Sequence, residues 1–458
     1  MSQTKQRFFL AAGICGYVAC FQWMYANYLY PFWGYFGFDY NPPAARYVAL
    51  AWLLTVTPSL WMPLHLTRPS QLAYWVLYVA VIIPSMFVPL NAGLNPPDEI
   101  SNLMLVLFVG FAIAGLSYLL PLYSPTTFRV SRSVFWKAVA CLAAGMGVSL
   151  FVLFRHHLQI ASFVDVYDVR DASNDVSEGG LGNFSFMSLT GAVNPFLIGC
   201  GLFFKRWWLF LAGAAGQLLV YAVGGTKGSL LSILFISAMA FLLKFGRIAF
   251  SLKITYGSLA LLGLACLSYI WSNGDPGPVH AMALFVVLMR TLSINGLLTA
   301  QYYDFFQLNP LTHFSHLKGV NLLMHYPYQY PVGEEIGLAY AGTTRLDATA
   351  HFWATDGLSG FGLPGILLVS VLCAGVFWAL DSASQRHDPR LAALVTTYAA
   401  YNLANISLFT TLLSGGLALL VLLLYFMPAQ NGGSELALAN EGKHRLRSKG
   451  VLRQLPSV

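Results

Sequence analysis

Long blocks of apolar residues alternate with short polar turns along most of the 458-residue chain. A helix needs about 20 apolar residues to cross a bilayer, whereas a transmembrane barrel would show short segments of alternating polarity. The pattern therefore predicts an all-α, polytopic integral membrane protein with about twelve transmembrane helices. The predicted spans are residues 8–29, 47–66, 71–91, 102–122, 135–154, 187–204, 207–223, 229–246, 254–272, 360–380, 391–407 and 409–427.

The amino-acid composition supports a membrane domain. Hydrophobic residues make up 57% of the chain and charged residues 9%, against about 25% charged residues in soluble domains. So few charges cannot cover a surface that faces water, so most of the exterior must face lipid. We expect one transmembrane domain over residues 1–428. The basic stretch 429–458 is expected to be a disordered cytoplasmic tail, with binding to anionic lipid as the alternative.

The basic residues predict the orientation of the spans. With the N-terminus inside, every short inside turn carries Lys or Arg, as the positive-inside rule requires. Two large loops, about 156–186 and 274–359, then face outside. Residues 279–306 of the second loop are predicted to form an interfacial or re-entrant helix, because their apolar run is too short to span. The alternative is a further span, which would move every basic turn that follows to the outer side.

Four cations on the predicted outer side are candidate ligands for an anion: Arg170, Lys227, Arg290 and Arg345. The arginine fork matches phosphate oxygens in two-point contacts. The glycines around Lys227, in the sequence VGGTKGS, would let the backbone approach a ligand. Together these residues predict a diphosphate site at the membrane surface. The alternative is contact with lipid headgroups by extended side chains.

The second outer loop also holds candidates for transfer chemistry. His351 could take a proton from a hydroxyl near neutral pH, although a lone histidine at a helix entry is often a core or capping residue. Glu335, in an adjacent acidic pair, is the second candidate base. Four residues could contact sugars: Tyr302, Tyr303, Asp304 and Trp353. An interfacial aromatic belt is the alternative for the three rings.

Several motifs are absent from the sequence. No outer loop contains Asp-x-Asp, and the chain has neither a Walker loop nor His-Glu-x-x-His. The six cysteines all lie inside apolar blocks. We therefore expect no metal, no other cofactor and no nucleic-acid partner. Few ionisable groups fall at mid-depth of the predicted spans, which argues against an ion-coupled transporter.

Two segments of the second outer loop resemble a known family. RTLSINGLLTAQYYDFFQLNP resembles the loop segment of O-antigen and exopolysaccharide repeat-unit polymerases, the Wzy class. AHFWATDGLSGFGLPG resembles the signature that these polymerases share with O-antigen ligases, with His351, Gly362 and Gly365 at its key positions. Ligases carry Asn after the histidine, whereas this chain has Phe352, which favours a polymerase.

The resemblance implies a GT-C-like glycosyltransferase that performs metal-independent, inverting transfer. Its substrates would be undecaprenyl-diphosphate-linked glycans at the periplasmic face of the bacterial inner membrane. Arg290 matches the family's loop arginine, and Arg170 lies on the earlier outer loop, where polymerases also carry arginines. With Lys227 and Arg345 they would hold the diphosphate, while His351 or Glu335 would activate the acceptor.

The remaining expectations concern partners and alternatives. Membrane lipids, a chain-length regulator and a flippase are the expected partners besides the glycan substrate. An O-antigen ligase that transfers glycan to the lipid A core is the first alternative function. A lipid-linked oligosaccharide transporter and a structural membrane protein are the others.

Overall fold

The computed structural model describes residues 2–123, 130–156, 158, 180–246, 248–274, 277–317 and 319–429. Within these ranges the protein is about 78% helical and contains no strand. Arg170, most of the first predicted outer loop and the predicted C-terminal tail lie outside the described residues.

The described residues contain eleven helical segments that are long and apolar enough to cross a membrane, together with three shorter helices. The helices are α1 (Gln3–Phe36), α2 (Ala45–Val56), α3 (Ser70–Ala92), α4 (Pro97–Leu119), α5 (Arg132–Phe154), α6 (Gly182–Phe203), α7 (Trp207–Gly224), α8 (Lys227–Lys244), α9 (Phe250–Trp271), α10 (Pro278–Leu308), α11 (Val332–Ala341), α12 (Trp353–Ser384), α13 (Pro389–Leu403) and α14 (Leu408–Phe426). The prediction of a polytopic helical membrane protein is therefore confirmed.

Hydrogen bonds define the two ends of the helical bundle. At one end, called the Arg7 end, they join Arg7 to the carbonyls of Ser59 and Met62, and Arg68 to the carbonyl of Ser117. At the other, called the Asn95 end, they join Tyr25 to Asp39, Asn41 to Asn91, and Asn95 to Asp304. The assignment of the Arg7 end to the cytoplasm remains a prediction from the basic residues.

Ten of the twelve predicted spans coincide with candidate membrane-spanning helices, and the other two fall on α2 and α13. Helix α2 has 12 residues, followed by a 3-10 turn of four. It nevertheless runs from one end of the bundle to the other. Tyr47 donates to Asp98 near the Asn95 end, and Ser59 accepts from Arg7 at the Arg7 end. Helix α13 has 15 residues and is almost completely buried among other helices.

Helix α10 has the length of a span, but both of its ends lie at the Asn95 end. Near the end of α9, Tyr269 donates to the carbonyl of Asn27 on α1. The seven steps from Trp271 to Pro278 reach at most about 25 Å, less than the roughly 30 Å of bilayer hydrocarbon. At its other end, α10 binds Asn95 through Asp304. These contacts favour the predicted re-entrant course, and α10 contains a π-helical stretch, Phe285–Ser293, between its two ends.

Helix α12 contains a reversal of the chain rather than one straight span. Gly362 has φ 63° and ψ −143°, a conformation open essentially to glycine alone. The Trp353 indole donates to Ser370 Oγ at 2.8 Å, although 17 residues of straight helix would separate them by about 25 Å. Residues 353–360 therefore fold back on residues 363–384. We call residues 351–365 the hairpin, and its turn explains the sequence GFGLPG.

The apolar core has two parts. The larger involves mainly α1 to α4 and α9 to α12, and the smaller involves mainly α5 to α7, α13 and α14. Large apolar side chains such as Leu211, Leu234 and Leu264 remain exposed along the spans. A surface of this kind is suited to contact with lipid tails.

Candidate functional site

Two of the predicted outer cations interact electrostatically although they are far apart in sequence. Arg290 lies in the π-helical stretch of α10 and is exposed, and Lys227 is the first residue of α8. The two charges lie close enough to influence each other, and Arg290 also acts electrostatically on Tyr401 of α13. Two neighbouring cations repel each other, so an anion bound beside them would stabilise both.

Arg290 also lines a cavity of about 250 Å³. Its polar and aromatic lining residues are Tyr35, Phe36, Arg290, Gln301, Tyr340 and Asp347. They come from α1, α10, α11 and the segment after α11. The volume lies just below the roughly 300–1,000 Å³ of typical small-molecule sites. It therefore suits a single sugar ring better than an oligosaccharide.

Glycines on α11 bring Asp347 to this cavity. A Cβ at Gly333 would lie 2.5 Å from Thr349 Oγ1, and a Cβ at Gly337 would lie 3.1 Å from the carbonyl carbon of Leu346 and closer still to its oxygen. Only glycine at these two positions lets the chain after α11 pack directly on the helix. The Ala348 N–H donates to the Gly333 carbonyl at 2.9 Å. The α11 segment VGEEIGLAY is therefore the surface on which the cavity wall formed by residues 346–348 packs.

Thr349 orients the Asp347 carboxylate. Oδ1 of Asp347 accepts the Thr349 backbone N–H at 3.0 Å and also the Thr349 hydroxyl. The Asp347 side chain is nevertheless exposed. An exposed carboxylate with a defined orientation can contact a ligand in the cavity.

The other two predicted cations are placed differently. Arg345 is exposed and directly precedes Leu346, which lines the cavity. The Arg345 backbone N–H donates to Thr343 Oγ1 at 3.2 Å. Arg345 itself is near the cavity but does not line it. Arg170 lies outside the described residues, so its predicted role stays a prediction.

His351 is completely buried, which contradicts the accessible imidazole that a base for the acceptor hydroxyl requires. Its Nε2 lies 2.8 Å from Thr299 Oγ1 on α10. Thr299 Oγ1 also lies 2.8 Å from the Ser85 hydroxyl on α3. His351 therefore attaches the hairpin to α10 and α3. The physical reason is the reversal in α12, which carries the start of the hairpin into the bundle.

Glu335 has a structural task at the start of α11. Its Oε1 accepts the backbone N–H groups of Gln329 at 3.1 Å and Tyr330 at 2.8 Å. It does not line the cavity. A carboxylate near a helix N-terminus is stabilised by the helix dipole. These contacts favour support of the preceding turn over the predicted role as a base.

The three aromatic rings predicted to contact sugars are packed inside the protein. Tyr302 and Trp353 are 0% exposed and Tyr303 is 8% exposed. Their polar atoms have partners within the bundle: the Tyr302 hydroxyl binds the Ala348 carbonyl, and the Trp353 indole binds Ser370. A ring without an exposed face cannot stack on a sugar, so this prediction is corrected. They are core aromatics whose polar groups are satisfied.

Asp304, the fourth predicted sugar contact, does not line the cavity but binds Tyr340, which does. Its Oδ1 accepts from Asn95 at 2.9 Å, and its Oδ2 accepts the hydroxyl of Tyr340. Burial and the Asp304 carboxylate raise the pKa of Tyr340, which keeps the phenol protonated as a donor. Asp304 thus fixes a ring that lines the cavity.

Sequence reasoning missed a buried carboxylate within the hairpin. Asp356 is 0% exposed, and its two oxygens bind His316 Nε2 at 3.3 Å and the Leu408 N–H at 2.6 Å. This carboxylate joins the hairpin to the loop after α10 and to the start of α14. The only signal in the sequence was an acidic residue at the entry of a predicted span. Its partners lie 40 and 52 positions away.

Sequence reasoning also missed residues of the cavity. Tyr35 and Phe36 lie outside the motifs, and Gln301 lies inside the segment RTLSINGLLTAQYYDFFQLNP but was not singled out there. No group of three His, Cys, Asp or Glu side chains that could hold a metal ion occurs in the described ranges. Comparisons with protein-family models, with curated proteins and with solved structures found no match for this chain.

Proposed function

We propose that this protein is a glycosyltransferase that joins lipid-diphosphate-linked oligosaccharide repeat units at the Asn95 end of the bundle. The observation that carries the proposal is the position of Arg290, which lines a sugar-sized cavity and interacts electrostatically with Lys227. An arginine in an apolar membrane helix is costly unless it has a task. Two cations near a small cavity suit a reaction that brings a diphosphate and a sugar ring together.

The proposed mechanism follows from the charge that develops during transfer. The bond between the anomeric carbon of the donor glycan and the diphosphate oxygen breaks, and negative charge builds on the departing diphosphate. Arg290 and Lys227 would stabilise that charge, because preorganised cations act strongly where water is partly excluded. Arg345 would add to the positive potential at the cavity mouth. Arg170 remains a predicted contributor.

The decisive experiment is incubation of the purified protein with a lipid-diphosphate repeat unit, with glycan length read on a gel. We expect a ladder of products from wild type and its loss in Arg290→Ala. A smaller loss is expected in Lys227→Ala, because a lysine makes fewer directed contacts with phosphate. Arg46→Ala is the matched control, because Arg46 lies near the same end but pairs with Asp98 at 3.9 Å.

A wild-type ladder from Arg290→Ala at equal expression would refute the proposal. Transfer of glycan to a lipid A core acceptor, without lengthening on the lipid carrier, would assign a ligase instead. Movement of intact labelled substrate across liposomes, without any new glycosidic bond, would assign a transporter.

A further inference from the structure

Resting on the proposed glycosyl transfer, we propose that Asp347 is the general base that removes the proton from the acceptor hydroxyl. The cavity of about 250 Å³ would then be the site of the acceptor sugar ring. Arg290 and Asp347 are the two charged residues that line this cavity in the described part of the chain. One lies on α10 and the other on the segment after α11.

The other candidate bases in this region do not line the cavity. His351 and Asp356 are both 0% exposed. Glu335 binds two backbone N–H groups outside the cavity, and Asp304 uses its two oxygens for Asn95 and Tyr340. A base must come within hydrogen-bond reach of the proton that it takes. Of these carboxylates and the imidazole, Asp347 is the one that lines the cavity.

The cavity has the lining that a sugar ring needs. Tyr35, Phe36 and Tyr340 supply aromatic surface, and Gln301 supplies an amide that can both donate and accept hydrogen bonds. Sugar rings combine apolar C–H faces with hydroxyl groups, so a mixed lining of this kind recognises both. The hydrogen bonds from Thr349 restrict the orientation of the Asp347 carboxylate in the cavity wall.

The proposed step conserves atoms and charge. The acceptor hydroxyl oxygen forms a bond with the anomeric carbon of the donor while its proton moves to Asp347. The bond from that carbon to the diphosphate oxygen breaks, and its electron pair leaves with the lipid diphosphate beside Arg290. Inverting transfer requires the base and the leaving group on opposite faces of the reacting carbon. Arg290 and Asp347 line the cavity from separate elements, and the proposal requires them to act on opposite faces of that carbon.

Asp347→Asn tests the proposal, because it removes the basic oxygen but keeps an acceptor for Thr349. We expect glycan transfer to fall by about 10²- to 10⁴-fold, the usual contribution of a general base. Binding of a fluorescent lipid-diphosphate glycan should change less than twofold. Formate should partly restore transfer by Asp347→Gly, because a small carboxylate can enter the space vacated by the side chain. Thr349→Val, which keeps the carboxylate, should lose much less transfer than Asp347→Asn.

The outcomes separate this inference from the function on which it rests. Wild-type transfer by Asp347→Asn, or a loss of donor binding that accounts for its loss of transfer, would overturn the role of Asp347. Failure of formate to restore any transfer by Asp347→Gly would also count against it. If wild type binds the donor and forms no glycosidic bond, the proposed function fails instead.

Discussion

The hairpin leads to a prediction about Gly365, because this residue lies where residues 353–360 fold back on the rest of α12. A Cβ at Gly365 would lie 2.9 Å from the carbonyl carbon of Gly357 and closer still to its oxygen, where Cβ atoms keep at least 3.0 Å. The obstacle is backbone, which cannot rotate away as a side chain can. Gly365→Ala must therefore push the two arms of the hairpin apart.

The expected cost of Gly365→Ala is that of overpacking a well-packed interior, about 1–3 kcal/mol. The upper part of that range is expected, because opening the hairpin also weakens the bond from Trp353 to Ser370 at its base. Gly375→Ala is the matched control in the same helix, since a Cβ at Gly375 meets nothing within 4 Å. The control should be neutral or slightly stabilising, because alanine favours a helix by up to about 1 kcal/mol over glycine.

The assay is the fraction of detergent-solubilised protein that stays monodisperse after heating, measured by fluorescence-detected size exclusion. Membrane proteins of this size do not unfold as two states, so the comparison is of transition temperatures rather than of unfolding free energies. We expect Gly365→Ala to lower the transition temperature by several degrees and Gly375→Ala to leave it unchanged or raise it. Equal transition temperatures for the two variants would refute the hairpin geometry.

Two further predictions concern Thr299, which binds His351, and Glu335, which supports the turn before α11. Thr299→Val should destabilise the protein by about 1–3 kcal/mol, because it leaves the buried His351 imidazole without its partner; Thr291→Val, which removes only a bond within its own helix, should have little effect on the same heating assay. A similar loss from both variants would contradict the anchoring role of His351. Glu335→Gln should keep substantial glycan transfer, because an amide oxygen can still accept the Tyr330 N–H, whereas Glu335→Ala should lower the transition temperature. Loss of transfer in Glu335→Gln with an unchanged transition temperature would restore Glu335 as the base.

The membrane architecture was largely predictable from the sequence. Ten of the predicted spans coincide with candidate spans because a lipid-facing helix must be apolar along its whole length, which is a property of each segment by itself. The two shorter helices, α2 and α13, show where that signal is weak. Their residues are apolar enough, but caps and turns decide the helix length. The reversal in α12 could not be predicted from apolar length either, because both arms of the hairpin are apolar.

The candidate site was predictable only in part. The predicted topology placed Arg290 and Lys227 on the outer side, where the positive-inside rule does not favour cations, and so marked both as candidates. It could not predict that His351, Tyr302 and Trp353 are buried. Whether such a side chain faces a ligand or the core depends on which segments pack against it.

Polarity and apolar length, which are local properties of the chain, determined that this is a helical membrane protein and where most helices lie. The tertiary structure decided which carboxylate and which cation share a cavity, because Arg290 and Asp347 belong to separate elements that only packing brings together. It also decided that His351 is an anchor, because the reversal at Gly362 turns the chain back into the bundle. The physical reason is that burial and charge proximity are properties of contacts between distant segments, which no single segment encodes.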